Sequence, residues 1–284
     1  MADALAICQS ELFQGLPCWR LRLPQGDTVL VAEHGAHVLS WVAAGRERLF
    51  LSGHSHFNGR DAIRGGVPVC WPQFNARGAL PKHGFARNLP WVADVPPVLT
   101  ADSAEASLSL RSGPDTMAVW PQAFDARVCV ALSPGCLRVT LGVDNSGTQP
   151  LAFTGALHTY LAVDDVAQAR LTGLGGQPEW DALSDTHGTA ADTLYFPGSF
   201  DRVYHAAAAP LTLHDGVQRL AIEQSADWAH SVVWTPGAAN AAGMADMAPG
   251  SHQRMLCVEA AQVFEPISVP AHGQWQGWQQ FNVR

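Results

Sequence analysis

The stretch "CLRVTLGVDN", residues 136–145, sets Leu137, Val139, Leu141 and Val143 two apart, with Arg138, Thr140 and Gly142 between them. Side chains two apart on an extended chain leave on the same side, so this is a strand with one apolar face. Just before it, "ARVCVAL" (126–132) is another short strand candidate, and "SPG" (133–135) separates the two. Further out, "WRLRLP" (19–24), "TVLVAEH" (28–34), "ASLSL" (106–110), "LTLH" (211–214), "VQRLAIE" (217–223), "SVVW" (231–234) and "RMLCVEA" (254–260) are strands of the same kind. Turn residues punctuate them: "PQGD", "DNSG", "HDG" and "TPG".

Sustained helical periodicity is nearly absent; "WDALSD" (180–185) has room for a turn or two of helix. "HAAAAP" (205–210) and "PGAANAAGMAD" (236–246) read as small-residue loops. The expectation is an all-β protein, a large antiparallel β-sandwich with few short helices. No composition break marks a linker and no internal repeat is visible, so residues 1–284 read as one domain.

With 47% hydrophobic residues the chain can bury a sizeable core, and only 15% are charged. A formal net charge of -8 argues against nucleic acid and anionic membrane as partners. Basic residues therefore matter where they cluster, and the sole lysine among them, Lys82, lies in the unusual segment "IRGGVPVCWPQFNARGALPKHGFAR" (63–87). The six cysteines form no C-x-x-C pair, and four sit in apolar, strand-like surroundings, as reduced core cysteines do. No basic-plus-apolar N-terminal signal and no membrane-length apolar run is present, so a cytoplasmic protein is expected.

Phosphate-loop and dinucleotide fingerprints are missing; "GLGGQ" lacks a third glycine and the strand-to-helix setting. "GHSHFNG" is not a nucleophile elbow. His34/His37 and His54/His56 have metal-ligand character, but no cysteine or carboxylate stands at a usual spacing to complete a set, although Glu33 adjoins His34. They read as ordinary surface or loop histidines, and neither a metal nor a cofactor is expected.

Three further segments carry unusual polar groups. In "FTGALHTYLAVDD" (153–165) His158 interrupts an apolar run and shares a strand face with Tyr160. By itself it could be a core histidine bonded to backbone. In "RMLCVEAAQV" (254–263) Glu259 shares a face with Met255 and Cys257. It is either a strand-end carboxylate reaching solvent or a base whose pKa is raised by burial. In "FDRVY" (200–204) Asp201 suits sugar hydroxyls, an arginine or an ordinary turn ion pair. Trp71, Phe74, Phe85 and Trp234 are candidate aromatic walls for a sugar ring.

Together "IRGGVPVCWPQF", "LPKHGFARNLPW", "NSGTQPLAFTGALHTYLAV", "FDRVY", "VVWTPG" with "MADM", and "MLCVEAAQV" resemble the aldose 1-epimerase (mutarotase) superfamily, and within it the glucose-6-phosphate 1-epimerase branch. The pieces stand in family order over residues from about 60 to 265. "WTP" departs from the more usual Trp-Asn-Pro, so Thr235 receives no role, and Lys82 stands where glutamine is more usual.

The resemblance implies a galactose mutarotase-like sandwich with an open, concave sugar site. His158 and Glu259 match the catalytic pair, and Arg64, Gln73, His83, Arg87 and Asp201 match pocket positions. The glycines of the segment 63–87 are expected to hold backbone close to the ligand and the two arginines to clamp an anion. The implied reaction interconverts the anomers of glucose 6-phosphate or a related hexose 6-phosphate. Ring opening needs a proton taken from the anomeric hydroxyl and one delivered to the ring oxygen. Glu259 is the expected base and protonated His158 the acid, the opposite charges helping to keep His158 protonated, with His83 sharing the polarisation of the ring oxygen. The expected partner is a small-molecule sugar phosphate and the expected state a monomer. Rivals are a mutarotase of free aldoses, a non-catalytic carbohydrate-binding protein of this fold, and, more weakly, a glycoside hydrolase, whose chemistry usually uses paired carboxylates.

Overall fold

Strands Phe124–Ser133 and Cys136–Asn145 pair antiparallel along their whole length, from Cys136 opposite Ser133 to Asn145 opposite Phe124. They lie inside a nine-stranded sheet, flanked by Ala104–Arg111 and Val98–Leu99 on one side. On the other side follow Gln274–Val283, Gln218–Gln224, Leu211–Asp215, Arg170–Thr172 and Thr193–Tyr195. Leu137, Val139, Leu141 and Val143 are all buried, as the alternation predicts.

The computed structural model describes residues 5–284. A second sheet of eight strands runs Thr186–Thr189, Pro178–Asp181, Phe200–His205, His230–Thr235, Met255–Val269, Leu151–Leu157 and Val69–Cys70, with Tyr160–Ala162 also paired to Met255–Val269. Leu157, Tyr204, Val233, Val258 and Ala260 on one of its faces join the apolar face of the nine-stranded sheet in one core. A five-stranded meander, Ile7–Phe13 to Arg46–Glu47, contributes Leu21, Val29, Val31, Trp41 and Ala43 to the same core. Every ladder between these strands is antiparallel. The architecture is the expected antiparallel β-sandwich.

Departures from the sequence reading have local reasons. "WDALSD" is not helical: Trp180 and Asp181 end a strand, and the Asp181 carboxylate accepts from the Leu183 and Ser184 amides to make the turn. The described helices are Pro114–Val119 and Gly237–Ala242, the second inside a segment read as loop. Gln274–Val283 escaped notice because its faces alternate tryptophan with glutamine rather than with aliphatics. Met255–Val269 is buried on both faces over its first nine residues, which blurs the alternation. All six cysteines are free, with Cys18, Cys70 and Cys257 buried. Among the described residues no helix is long and apolar enough to cross a membrane.

Candidate active site

The site forms on one face of the eight-stranded sheet, whose register assembles it. Leu157 pairs with Ala260 and Tyr160 with Cys257, so the residues between, His158 and Glu259, stand directly opposite one another. Opposed residues on antiparallel strands project to the same side. The row continues from Glu259 to Val232 and Val203, and the next row runs Tyr160, Cys257, Trp234, Asp201. Between the two, Thr159 points into the sandwich, where its hydroxyl donates to Gln279 Oε1 at 2.7 Å. Gln279 in turn donates to the Val258 carbonyl at 3.0 Å. The His-Thr-Tyr run thus presents two rings to the cavity and one anchor to the core.

On the cavity floor His158 Nε2 lies 3.3 Å from Glu259 Oε1. Glu259 is 1% exposed, and its Oε2 has no hydrogen-bond partner. Tyr160 stacks on His158 with ring centres 4.9 Å apart, and Trp234 meets the pair edge-on. His83 stands 5.4 Å from the His158 ring. Its Nδ1 accepts from the Asn75 amide at 3.2 Å, which leaves a neutral His83 with its proton on Nε2, as a donor. The cavity holds about 310 Å³ and is also lined by Arg64, Phe74, Lys82, Arg87, Trp180 and Asp201. That volume suits one monosaccharide.

The segment 63–87 supplies the rim by a tightly braced loop. Gln73 donates to the Asn75 and Leu80 carbonyls and accepts from the Leu80 amide. Its amide is spent on backbone and it lies outside the cavity lining, so the expected ligand contact gives way to a bracing one. Gly84 turns the chain back onto Trp71, and a Cβ there would fall inside the Trp71 carbonyl oxygen. At Gly66 a Cβ would strike the Val38 carbonyl. These glycines let backbone press on backbone, not on a ligand as expected from sequence. Trp71 and Phe85 are core residues, packed with Trp120 and Phe124; Phe74 and Trp234 do line the cavity.

The cations differ from one another. Arg64 is engaged: Nε and Nη2 donate to the two Asp246 carboxylate oxygens at 3.1 Å each, and Nη1 donates to the Tyr160 hydroxyl at 3.0 Å. Among the described residues Arg87 donates only to the Lys82 carbonyl, and its buried Nε is unpartnered. Lys82 is exposed at the rim. Arg77 lies over the Trp180 and Phe264 rings. Sequence reasoning missed Asp246, Trp180 and Arg77. Asp246 lies within "MADM", but nothing local marks an aspartate as the partner of an arginine 182 residues away.

Electrostatically the site favours neutral groups. Burial pushes His158 down to about 3, with Arg87, Arg64 and Lys82 adding to the effect. Burial, then the Asp201 charge, holds Glu259 well above the usual carboxylate range. Both shifts run against the ion pair expected from sequence. Asp201 is raised to about 6, chiefly by burial, with Lys82 opposing and Asp181 adding to the rise. The histidines singled out for metal character bind elsewhere: His34 Nε2 is 2.8 Å from the Asp61 carbonyl, His37 Nε2 is 2.7 Å from that of Gly65, and His56 faces the Asp61 carboxylate.

A family model described as Aldose 1-epimerase matches residues 17–282. A protein of Cenchrus ciliaris named "Putative glucose-6-phosphate 1-epimerase" is 35% identical over 255 residues, covering 86% of this chain and 78% of its own length. A protein of the same name from Escherichia coli strain K12 is 34% identical over 255 residues, covering 85% and 83%. Among solved structures, "a putative mutarotase (YeaD)" from Salmonella typhimurium superposes with a TM-score of 0.90 at 29% identity, over 98% of this chain and 93% of that one.

Proposed function

The chain belongs to the aldose 1-epimerase family, and from that premise we propose that it interconverts the α and β anomers of a hexose 6-phosphate, with His158 and Glu259 as the proton-transfer pair. It is an isomerase, and its substrate class is sugar. The observation that carries the finer reading is the cross-strand pair, 3.3 Å apart on the floor of a cavity whose wall holds Arg87 and Lys82.

Opening the hemiacetal needs one group that takes a proton from the anomeric hydroxyl and one that gives a proton to the ring oxygen. Rotation about C1–C2 and closure with the roles exchanged yield the other anomer. Glu259 acts as base once ionised and His158 as acid once protonated, and the same single proton serves both directions. Neutral His83 donates from Nε2 to the oxygen where negative charge develops. Asp201 accepts from ring hydroxyls, and Trp234 and Phe74 pack on the sugar's C–H faces.

The 6-phosphate has a further role in this scheme. Burial depresses His158 most, and three cations add to it; a phosphate carrying roughly −1.5 to −2 charge offsets the cations' share. Binding therefore moves His158 back toward its protonated form at the moment an acid is needed. Arg87 and Lys82 are the phosphate contacts, because Arg64 already holds Asp246 and Tyr160.

The test is anomer exchange measured at equilibrium by NMR, with glucose 6-phosphate and with glucose, each against the protein-free rate. Acceleration confined to the phosphosugar supports the proposal. Acceleration of glucose alone keeps the proton-transfer pair and removes the phosphate reading, and no acceleration of any hexose removes both.

A further inference from the structure

We propose that His158, Cys257 and Glu259 form an inhibitory site for a thiophilic divalent cation, zinc foremost. One ligand atom from each lies within 4.8 Å of the other two. The register brings them together: Glu259 is opposite His158, and Cys257, two residues earlier on the same strand face, is opposite Tyr160. Imidazole nitrogen, thiolate sulfur and carboxylate oxygen are the ligand types of tetrahedral zinc sites. Ligand atoms around zinc are separated by about 3.5 Å, so small side-chain rotations close the set. Hard cations such as Mg²⁺ are poor matches for a set containing a thiolate.

A second, independent feature points the same way. Glu259 Oε2 is buried without a partner, and a buried carboxylate oxygen without a partner is costly. Cys257 is buried and free. Zinc takes the sulfur as thiolate, so binding releases the thiol proton and affinity rises with pH. The fourth position faces the cavity that Glu259 and His158 line. The bound ion occupies both lone pairs that proton transfer requires, so binding and anomer exchange exclude each other. The inhibition rests on the function proposed above; the metal binding does not, and the two are read separately.

The experiment titrates metal-free, full-length protein with Co²⁺ alone and follows the near-ultraviolet thiolate-to-cobalt band. One equivalent should saturate the band, Zn²⁺ should displace it, and Cys257→Ser should abolish it. Glu259→Gln and His158→Gln should each weaken cobalt binding at least about tenfold. In parallel, Zn²⁺ should slow anomer exchange and a chelator should restore it. Absence of the band in the unmodified protein overturns the site. So does a band that survives Cys257→Ser, which would place it on Cys8, Cys129 or Cys136. Should Cys257→Ser fail to fold, unchanged cobalt affinity in both Glu259→Gln and His158→Gln overturns it instead.

Discussion

At the residue scale, Glu259 and His158 face each other at 3.3 Å in a site whose burial disfavours charge on either. Glu259→Gln keeps the shape and removes the titrating oxygen, and His158→Asn removes the partner. Each is expected to lower kcat for anomer exchange by about 10²- to 10⁴-fold, with the thermal midpoint little changed. A variant retaining full rate in the NMR assay would take that residue out of the mechanism. The cations separate by what already holds them. Lys82→Ala and Arg87→Ala should raise KM for glucose 6-phosphate while leaving the weaker interaction with glucose unchanged. Asp246→Asn should act differently, by loosening Arg64 and through it the Tyr160 ring stacked on His158. Its loss should appear in kcat for either sugar.

At the element scale, the strand Met255–Val269 and the chain that runs from Leu157 to Tyr160 hold the pair in register, and Thr159 ties that register to the opposite sheet through Gln279. Thr159→Val leaves the Gln279 amide oxygen unpaired in the core and is expected to cost about 1–3 kcal/mol in urea unfolding, with a smaller loss of rate. The loop that carries His83 depends on Gly84, whose φ is +69°. Gly84→Ala adds an unfavourable backbone conformation and a clash with the Trp71 carbonyl. Destabilisation upwards of about 3 kcal/mol is expected, with loss of exchange activity. A variant of wild-type stability would show that the turn can shift and that its sterics do not require glycine.

At the scale of the whole molecule, acid is expected to unfold the protein early. Burial lowers His37 and His158 to about 3 and His230 to about 4, and burial drives His83 lower still. Each takes up a proton near pH ~6.5 when unfolded but not when folded. Their stabilisation is therefore complete above pH ~6.5 and is lost as pH falls toward 3–4. Glu259 and Asp201 have the opposite sign: raised in the fold, they contribute below pH ~4 and lose that contribution as pH rises, for Asp201 through about 6. The lowered histidines outnumber the raised carboxyls, so stability falls on acidification between pH ~6 and ~4. Urea midpoints at several pH values check this. His37→Gln, outside the cavity lining and able to donate to the Gly65 carbonyl, should flatten the slope; an unchanged slope would show that His37 does not contribute.

The sequence by itself determined the class of fold and the strands with one apolar face, because period-two alternation and turn residues are local consequences of an extended chain with one buried face. It also pointed, through six pieces in family order, to residues 158 and 259, whose side chains the fold sets 3.3 Å apart. What only the tertiary structure decided concerns long-range partners. Gln73 binds its own loop, Arg64 belongs to Asp246, the glycines make room for backbone, and burial disfavours both charges of the expected ion pair. Each depends on which groups share a low-dielectric space after folding, and sequence distance carries no record of that.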